Sequence, residues 1–392
     1  MNKRRAIILV CDSLGVGEMP DAEEFGDQGS DTLGHVLRDA NPSLPTLTRL
    51  GLLHTLASTS DDLPTPVSAW GKMAEKSAGK DTITGHWEMM GLITEDPFRT
   101  YPDGFPRDVL DEYERRIGRS TLGNKPASGT VIIEELGSEH LETGFPIVYT
   151  SGDSVFQVAA HEKVIPVDEL WRFCEIAREL MRGEHNIGRV IARPFLGEPG
   201  SFRRTANRKD FSVTPPSETY LDRIRSAGKR VAGVGKIADI FDRAGIDDEI
   251  RSESNSDGMR ITEDLMESSP ADLIFTNLVD FDSKYGHRND ADGYGRALEQ
   301  FDAELSGLLG KMTPDDLLFI TADHGCDPSD VSTDHTREYV PLLVASPRIS
   351  HEIRLGIRPV FADLGATVAH YLQADQSGIP GESLLTRIGL AE

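Results

Sequence analysis

Three things are scarce in this chain of 392 residues. It has only three cysteines, Cys11, Cys174 and Cys326. They are too few and too scattered for a disulfide framework or a cysteine-based zinc site, and they fit a reducing compartment. Long apolar runs are missing as well: no stretch approaches the ~20 residues of a membrane-spanning helix. The basic start leads into an apolar run, 6–11, that stops at Asp12. A signal-peptide core is longer, roughly 7–15 residues, so a cytoplasmic protein is expected. Positive charge is the third shortage, with 41 Lys+Arg against 65 Asp+Glu and a net charge of −24. Nucleic acid and anionic membrane are therefore not expected partners, because both need a positive footprint. What remains, 38% hydrophobic and 27% charged residues, describes a soluble globular protein. At roughly 150 residues per domain the length suggests two or three.

Four short apolar runs stand out: 6–11, 273–279, 317–322 and 340–345. Largely apolar runs of this length, the first of them wholly apolar, are the pattern of strands covered on both faces. Pro341 favours a strand start or a sheet edge for the fourth. Between the second and third, Ala297, Leu298, Phe301, Leu305, Leu308 and Leu309 recur at helical spacing. Strand, helix, strand predicts an α/β fold with a mostly parallel central sheet. Ligands of such sheets sit beyond the carboxyl ends of the strands, where Asp12, Asp280, Asp282, Asp323 and His324 fall. The middle of the chain reads differently. It opens on turn signals from Asp96 onward, carries its own helical and strand-like pieces, and closes near Thr214-Pro215-Pro216. A second domain over 96–214, inserted into a core built from 1–95 and 215–392, is expected.

Several constellations carry chemistry. Asp323 and His324, followed by His335, supply hard oxygen and borderline nitrogen ligands for a divalent ion, although a surface turn with incidental histidines reads the same alone. Asp282 and His287 are five residues apart after a strand; Asp282 also reads as a helix cap. Asp12 at a strand end suits a metal or a turn. Thr82, in Gly79-Lys-Asp-Thr-Ile-Thr-Gly-His-Trp-Glu88, is placed where a helix begins. It reads as a nucleophile activated by a metal and by free backbone N–H groups, or as an ordinary cap. Taken together, three carboxylates, three imidazoles and a hydroxyl are the inventory of two ions about 4 Å apart, whose commonest use is phosphoryl transfer. Residues 189–209 add Arg189, Arg193, Arg203, Arg204, Arg208 and Lys209 against Glu198, a local +5. That stretch reads as a phosphate clamp or as a solvated basic face. Lys236 follows another strand-like run and lacks the P-loop spacing.

These segments, with Gly29-Ser-Asp-Thr-Leu-Gly-His35, Gly123-Asn-Lys-Pro-Ala-Ser-Gly129, Tyr149-Thr-Ser-Gly-Asp-Ser154 and Thr333-Asp-His-Thr-Arg-Glu-Tyr-Val-Pro341, resemble the bacterial type of phosphopentomutase in the alkaline phosphatase superfamily. The resemblance runs almost end to end. It implies an alkaline phosphatase-like core, with a mostly parallel central sheet flanked by helices, and an inserted α+β cap. It implies that Thr82 is phosphorylated. Asp12, Asp323 and His324, with the Thr82 oxygen, would hold one manganese ion, and Asp282, His287 and His335 a second. Ser151, Asp153, Arg189 and Lys236 would hold the sugar phosphate, with Arg193, Arg204 and Arg208 as further candidates from the basic stretch. The implied reaction interconverts ribose 1-phosphate and ribose 5-phosphate, and the 2-deoxyribose pair, through a sugar bisphosphate. Glucose 1,6-bisphosphate or ribose 1,5-bisphosphate would be the activator. Cys326 and Gly152 depart from the family pattern, where Asn and Ala are expected, without removing a ligand. The alternative is a metal-dependent phosphomonoesterase or a metal-type phosphoglycerate mutase on the same core.

Overall fold

The computed structural model describes residues 4–56, 62–152 and 154–391. The chain divides into two compact units, Met1–Pro97 with Pro215–Glu392, and Phe98–Thr214. It enters the first unit through β1 (Arg5–Cys11) and β2 (Ala69–Met73). It then forms the second unit with β3 (Leu122–Pro126), β4 (Ile147–Thr150), β5 (Val155–His161), β6 (Arg189–Leu196), β7 (Arg203–Arg204) and β8 (Lys209–Ser212). It returns to the first through β9 (Val231–Val234), β10 (Asp248–Ile250), β11 (Leu273–Leu278), β12 (Asp316–Thr321), β13 (Val340–Ala345) and β14 (Ile353–Arg358).

In the first unit the sheet order is β10-β9-β11-β1-β12-β13-β2-β14. Pairing is parallel from β10 through β12, antiparallel on both sides of β13, and parallel again between β2 and β14. Every residue of β11, β12 and β13 is buried, as is β1 from Ala6 onward. Cover on both faces is why these strands read as mostly apolar text instead of alternating. The expected helix spans Ala291–Lys311 and buries Leu298, Phe301, Leu305 and Leu308. Pro341 is not on an edge strand, since β13 lies between β12 and β2. It is tolerated as the second residue of its strand, where β2 pairs with it and β12 does not yet; β12 pairs only with Leu343–Ala345.

The second unit carries a sheet of order β3-β4-β5-β6-β7, with β8 on β6. Alternate residues serve opposite faces. Val148, Phe156, Val158 and Val190 pack with Leu110, Tyr113, Phe173 and Ala177 from the helices Arg107–Ile117 and Val167–Leu180. Ile147, Tyr149 and Ala159 pack with Ile132 and Ile133 from the helix Gly129–Thr143.

Candidate active site

The parallel register of the first unit decides where the site forms. β1 runs beside both β11 and β12, with Val10 level with Asn277 and Thr321. The residues just past these strands therefore meet. Asp12 follows β1; Asp282 lies in the π-helical turn Phe281–Tyr285 after β11, and His287 in the turn after that; Asp323 and His324 follow β12. His335 is returned to the group by a bridge between Gly325 and Thr336, whose N–H groups donate to each other's carbonyls at 3.1 and 2.8 Å. This bridge stacks the His324 and His335 rings with centroids 3.9 Å apart.

Two overlapping groups result. His324 Nε2 lies 3.3 Å from Asp323 Oδ2 and 3.6 Å from Asp12 Oδ1. Asp282 Oδ1 lies 3.3 Å from His287 Nε2 and 3.5 Å from His335 Nε2. Ligand atoms of Asp12, Asp323 and His324 all lie within 4.8 Å of one another, and so do those of Asp282, His324 and His335. The supports decide which atoms point inward. Asn277 Nδ2 donates to Asp12 Oδ2 at 3.0 Å, and the Ser13 amide donates to Asp323 Oδ1 at 3.1 Å. The opposite oxygens, Asp12 Oδ1 and Asp323 Oδ2, are buried without a hydrogen bond. His287 Nδ1 donates to the Thr333 carbonyl at 2.6 Å and His324 Nδ1 to that of Gly325 at 3.0 Å, which leaves each Nε2 with its lone pair toward the carboxylates.

Electrostatics ask for a cation at this place. Two like charges about 4 Å apart repel by roughly 4 kcal/mol at an effective dielectric near 20. Burial raises the Asp12 pKa, and the neighbouring Asp323 and Asp282 raise it further, against Lys236 and Asn277. Burial acts upward on Asp323 and Asp282 too, but is outweighed: by His324 and His86 for Asp323, and by His335, His287 and His324 for Asp282. Burial brings His324 down to about 4 against the pull of Asp323, so its ring is neutral at ordinary pH. Buried carboxylate oxygens without hydrogen bonds, beside imidazole nitrogens, suit two divalent ions of intermediate hardness. Cys326 lies at the margin, its sulfur grouped with Asp282 and His287, and burial raises its thiol pKa far out of the reactive range.

Thr82 is the first residue of the helix Thr82–Met89. Asp81 caps it, its carboxylate accepting from the amides of Ile83 and Thr84 at 3.0 and 3.2 Å. The Thr82 Oγ1 lies 3.2 Å from His324 Nε2. At the other end of the helix Glu88 is buried, accepting from the amides of Lys76, Ser77 and Phe361. The hydroxyl thus stands at the positive end of a capped helix, facing the candidate metal-ligand group.

The remaining predicted residues divide by unit. Lys236 follows β9 and immediately precedes the short helix Ile237–Ile240; its charge reaches Asp12. Ser151 is half-buried after β4, while Asp153 lies outside the described residues. Arg189 and Arg193 are on β6, Arg204 is exposed on β7, and Arg208 precedes β8. Asp210, just beyond the basic stretch, changes the expected +5. Arg208 forks onto it at 2.6 and 2.7 Å, and Arg189 lies 3.9 Å away. Burial raises the Asp210 pKa, but Arg208, Arg189 and Arg193 outweigh it and hold the group ionised. Arg193 Nε donates to Gln157 at 3.0 Å.

Sequence reasoning passed over the supporting residues. Arg337 and Glu75 form a buried pair at 2.8 Å, and Arg337 also donates to the Gly79 carbonyl, three residues before Thr82. Glu338 accepts from both the amide and the hydroxyl of Thr32, and from Thr336 beside His335. Asn277 and His86 both lie in segments that carried the resemblance, but nothing in spacing marks them as supports.

A family model, the metalloenzyme superfamily, matches residues 4–376. A curated phosphopentomutase of Caldanaerobacter subterraneus subsp. tengcongensis is 57% identical over 93% of each chain. Another, from Acetivibrio thermocellus, is 53% identical over 98% of this chain and all of its own length. Among solved structures, the PH0037 protein from Pyrococcus horikoshii superimposes with a TM-score of 0.51 at 14% identity, over 96% of this chain and 99% of its own. That likeness concerns fold alone, a mixed α/β fold. Identity above one half along nearly the whole length of several relatives goes much further, and places this chain in the phosphopentomutase family of the metalloenzyme superfamily.

Proposed function

We propose that this isomerase works as a phosphoryl relay centred on Thr82. The observation that carries the reading is the Thr82 hydroxyl at a capped helix N-terminus, 3.2 Å from His324 Nε2. Phospho-Thr82 donates its phosphoryl group to the free hydroxyl of ribose 1-phosphate or ribose 5-phosphate, or of the 2-deoxy sugar. A sugar bisphosphate forms and the threonine oxygen is released. The bisphosphate reorients and returns its other phosphate to Thr82, so the monophosphate leaves with its phosphate moved and the enzyme leaves rephosphorylated. Glucose 1,6-bisphosphate or ribose 1,5-bisphosphate primes the first cycle.

Asp12, Asp323, His324 and the Thr82 oxygen would hold one divalent ion, and Asp282, His287 and His335 the other. Two bound manganese ions would offset charge on the phosphoryl oxygens and keep the threonine oxygen a good nucleophile and leaving group. The N–H groups of the Thr82 helix add fixed positive potential. Lys236, Ser151, Asp153, Arg189, Arg193, Arg204 and Arg208 orient the sugar phosphate, Arg forks matching its oxygens. Water must be excluded during the transfer, since hydrolysis of phospho-Thr82 would discharge the enzyme. A cytoplasmic location suits these small phosphorylated substrates.

The test is a coupled assay of ribose 1-phosphate conversion to ribose 5-phosphate, run beside phosphate release, for wild type and Thr82→Ala. Isomerisation far in excess of phosphate release, abolished by Thr82→Ala, is expected. Full mutase activity in Thr82→Ala would sink the relay.

A further inference from the structure

We propose that His86 is a positioning residue that locks the nucleophile's backbone to the two carboxylates on which it depends. The inference rests on the reading of Thr82 as nucleophile. His86 is fully buried, one turn after Thr82 on the same helix. Its Nδ1 lies 2.8 Å from the Thr82 carbonyl oxygen and 3.2 Å from Asp323 Oδ2. A carbonyl can only accept, so Nδ1 carries the proton. Its Nε2 then presents a lone pair to Asn277 Nδ2 at 3.4 Å, and the same amide nitrogen donates to Asp12 Oδ2 at 3.0 Å. One ring thus joins Thr82, Asp323 and, through Asn277, Asp12.

The ring itself has little freedom. It stacks on Phe275 of β11, with centroids 5.9 Å apart and 29° between planes. Gly85, the preceding residue, lets the helix lie directly on the Asp323 backbone, where a Cβ would be 2.1 Å from the Asp323 carbonyl oxygen. Helix and strand end are therefore held both by close packing and by the approach of His86 Nδ1 to within 3.2 Å of Asp323 Oδ2. In phosphoryl transfer, where most of the catalytic effect is positioning and electrostatics, a misplacement of about 1 Å costs on the order of 10²-fold.

Three variants separate this role from bulk. Asn carries an amide nitrogen at the δ position, where His has Nδ1; Gln carries it at ε; Leu fills the space without a donor. The readouts are kcat and KM determined separately, and binding of Mn2+ alone by titration calorimetry. In His86→Leu, kcat and Mn2+ affinity should each fall ~10–100-fold, as for other residues that orient metal ligands, with KM nearly unchanged. His86→Asn should recover most of both losses and His86→Gln little. Wild-type kcat and Mn2+ affinity in His86→Leu, a loss confined to KM, or equal rescue by Asn and Gln would overturn the proposal. If His86→Leu does not fold, the Asn and Gln pair decides. Loss of the Thr82 reading itself would show separately, as an active Thr82→Ala.

Discussion

A Cβ on Gly85 would stand 2.1 Å from the backbone oxygen of Asp323, closer than any real contact permits. The helix bearing Thr82 therefore touches the metal-ligand strand end through a position that tolerates no side chain. The obstacle is a carbonyl, so it cannot rotate away. Gly85→Ala is expected to lower unfolding free energy by about 1–3 kcal/mol through overpacking, and to lower kcat more than stability alone would require. Thermal unfolding and steady-state kinetics on the same preparation check both.

Arg337 and Glu75 give a second prediction. The guanidinium reaches Glu75, Asp21 and two backbone carbonyls, and it pulls the Glu75 pKa down against the burial that raises it. Arg337→Met leaves Glu75 buried and unpaired, which costs about 3–5 kcal/mol. Arg337→Lys keeps the charge but loses the fork, so its cost should lie between wild type and Met. Urea unfolding of the two variants tests the order.

Glu338 predicts a pH dependence. Burial raises its pKa to about 7 from an ordinary carboxyl value of 4.5, despite hydrogen bonds from Thr32 and Thr336. The folded state thus binds the proton more tightly than the unfolded chain. The stability this adds is complete below about pH 4.5 and is lost as pH rises through 7. Glu338→Gln removes that dependence. Relative to wild type its stability should climb between pH 5 and 8, by an amount on the order of 3 kcal/mol. Unfolding free energies across that range would refute the idea if the two proteins ran parallel.

Removal of metal by a chelator should lower the melting temperature, because it leaves Asp12, Asp282 and Asp323 repelling one another. Returning Mn2+ at about 100 times its dissociation constant should restore roughly 2.7 kcal/mol. Affinity should weaken toward acid pH. Asp12 must be ionised to bind, and its pKa is raised, whereas His324 stays neutral down to about 4. Calorimetric Mn2+ titrations at several pH values give both the constant and the protons released.

Much of the first unit was legible in sequence. The runs at 6–11, 273–279, 317–322 and 340–345 announce strands because a doubly covered strand is apolar along most of its length. The acidic and imidazole residues after them stand out for the same reason: polar text directly following an apolar run. The supports were not legible. Asn277 is 265 positions from Asp12 and His86 is 191 positions from Asn277, so no local spacing relates them. Pro341 suggested a strand start or an edge; it stands near the start of an interior strand, and sequence cannot tell which side of a strand is paired at a given residue. The basic stretch seemed to stand at +5 because its counter-charge, Asp210, lies just outside it and matters only once β6 and β8 pair.

The sequence by itself determined the donor types, the strand ends that carry them and the family, since these depend on residue identity and short-range pattern. The tertiary structure decided which oxygen of each carboxylate is left without a hydrogen bond, which nitrogen of each imidazole faces inward, and where the Thr82 hydroxyl stands. Those are matters of strand register and of hydrogen bonds between distant segments. Directed bonds act over about 3 Å, and only the folded chain brings such partners that close.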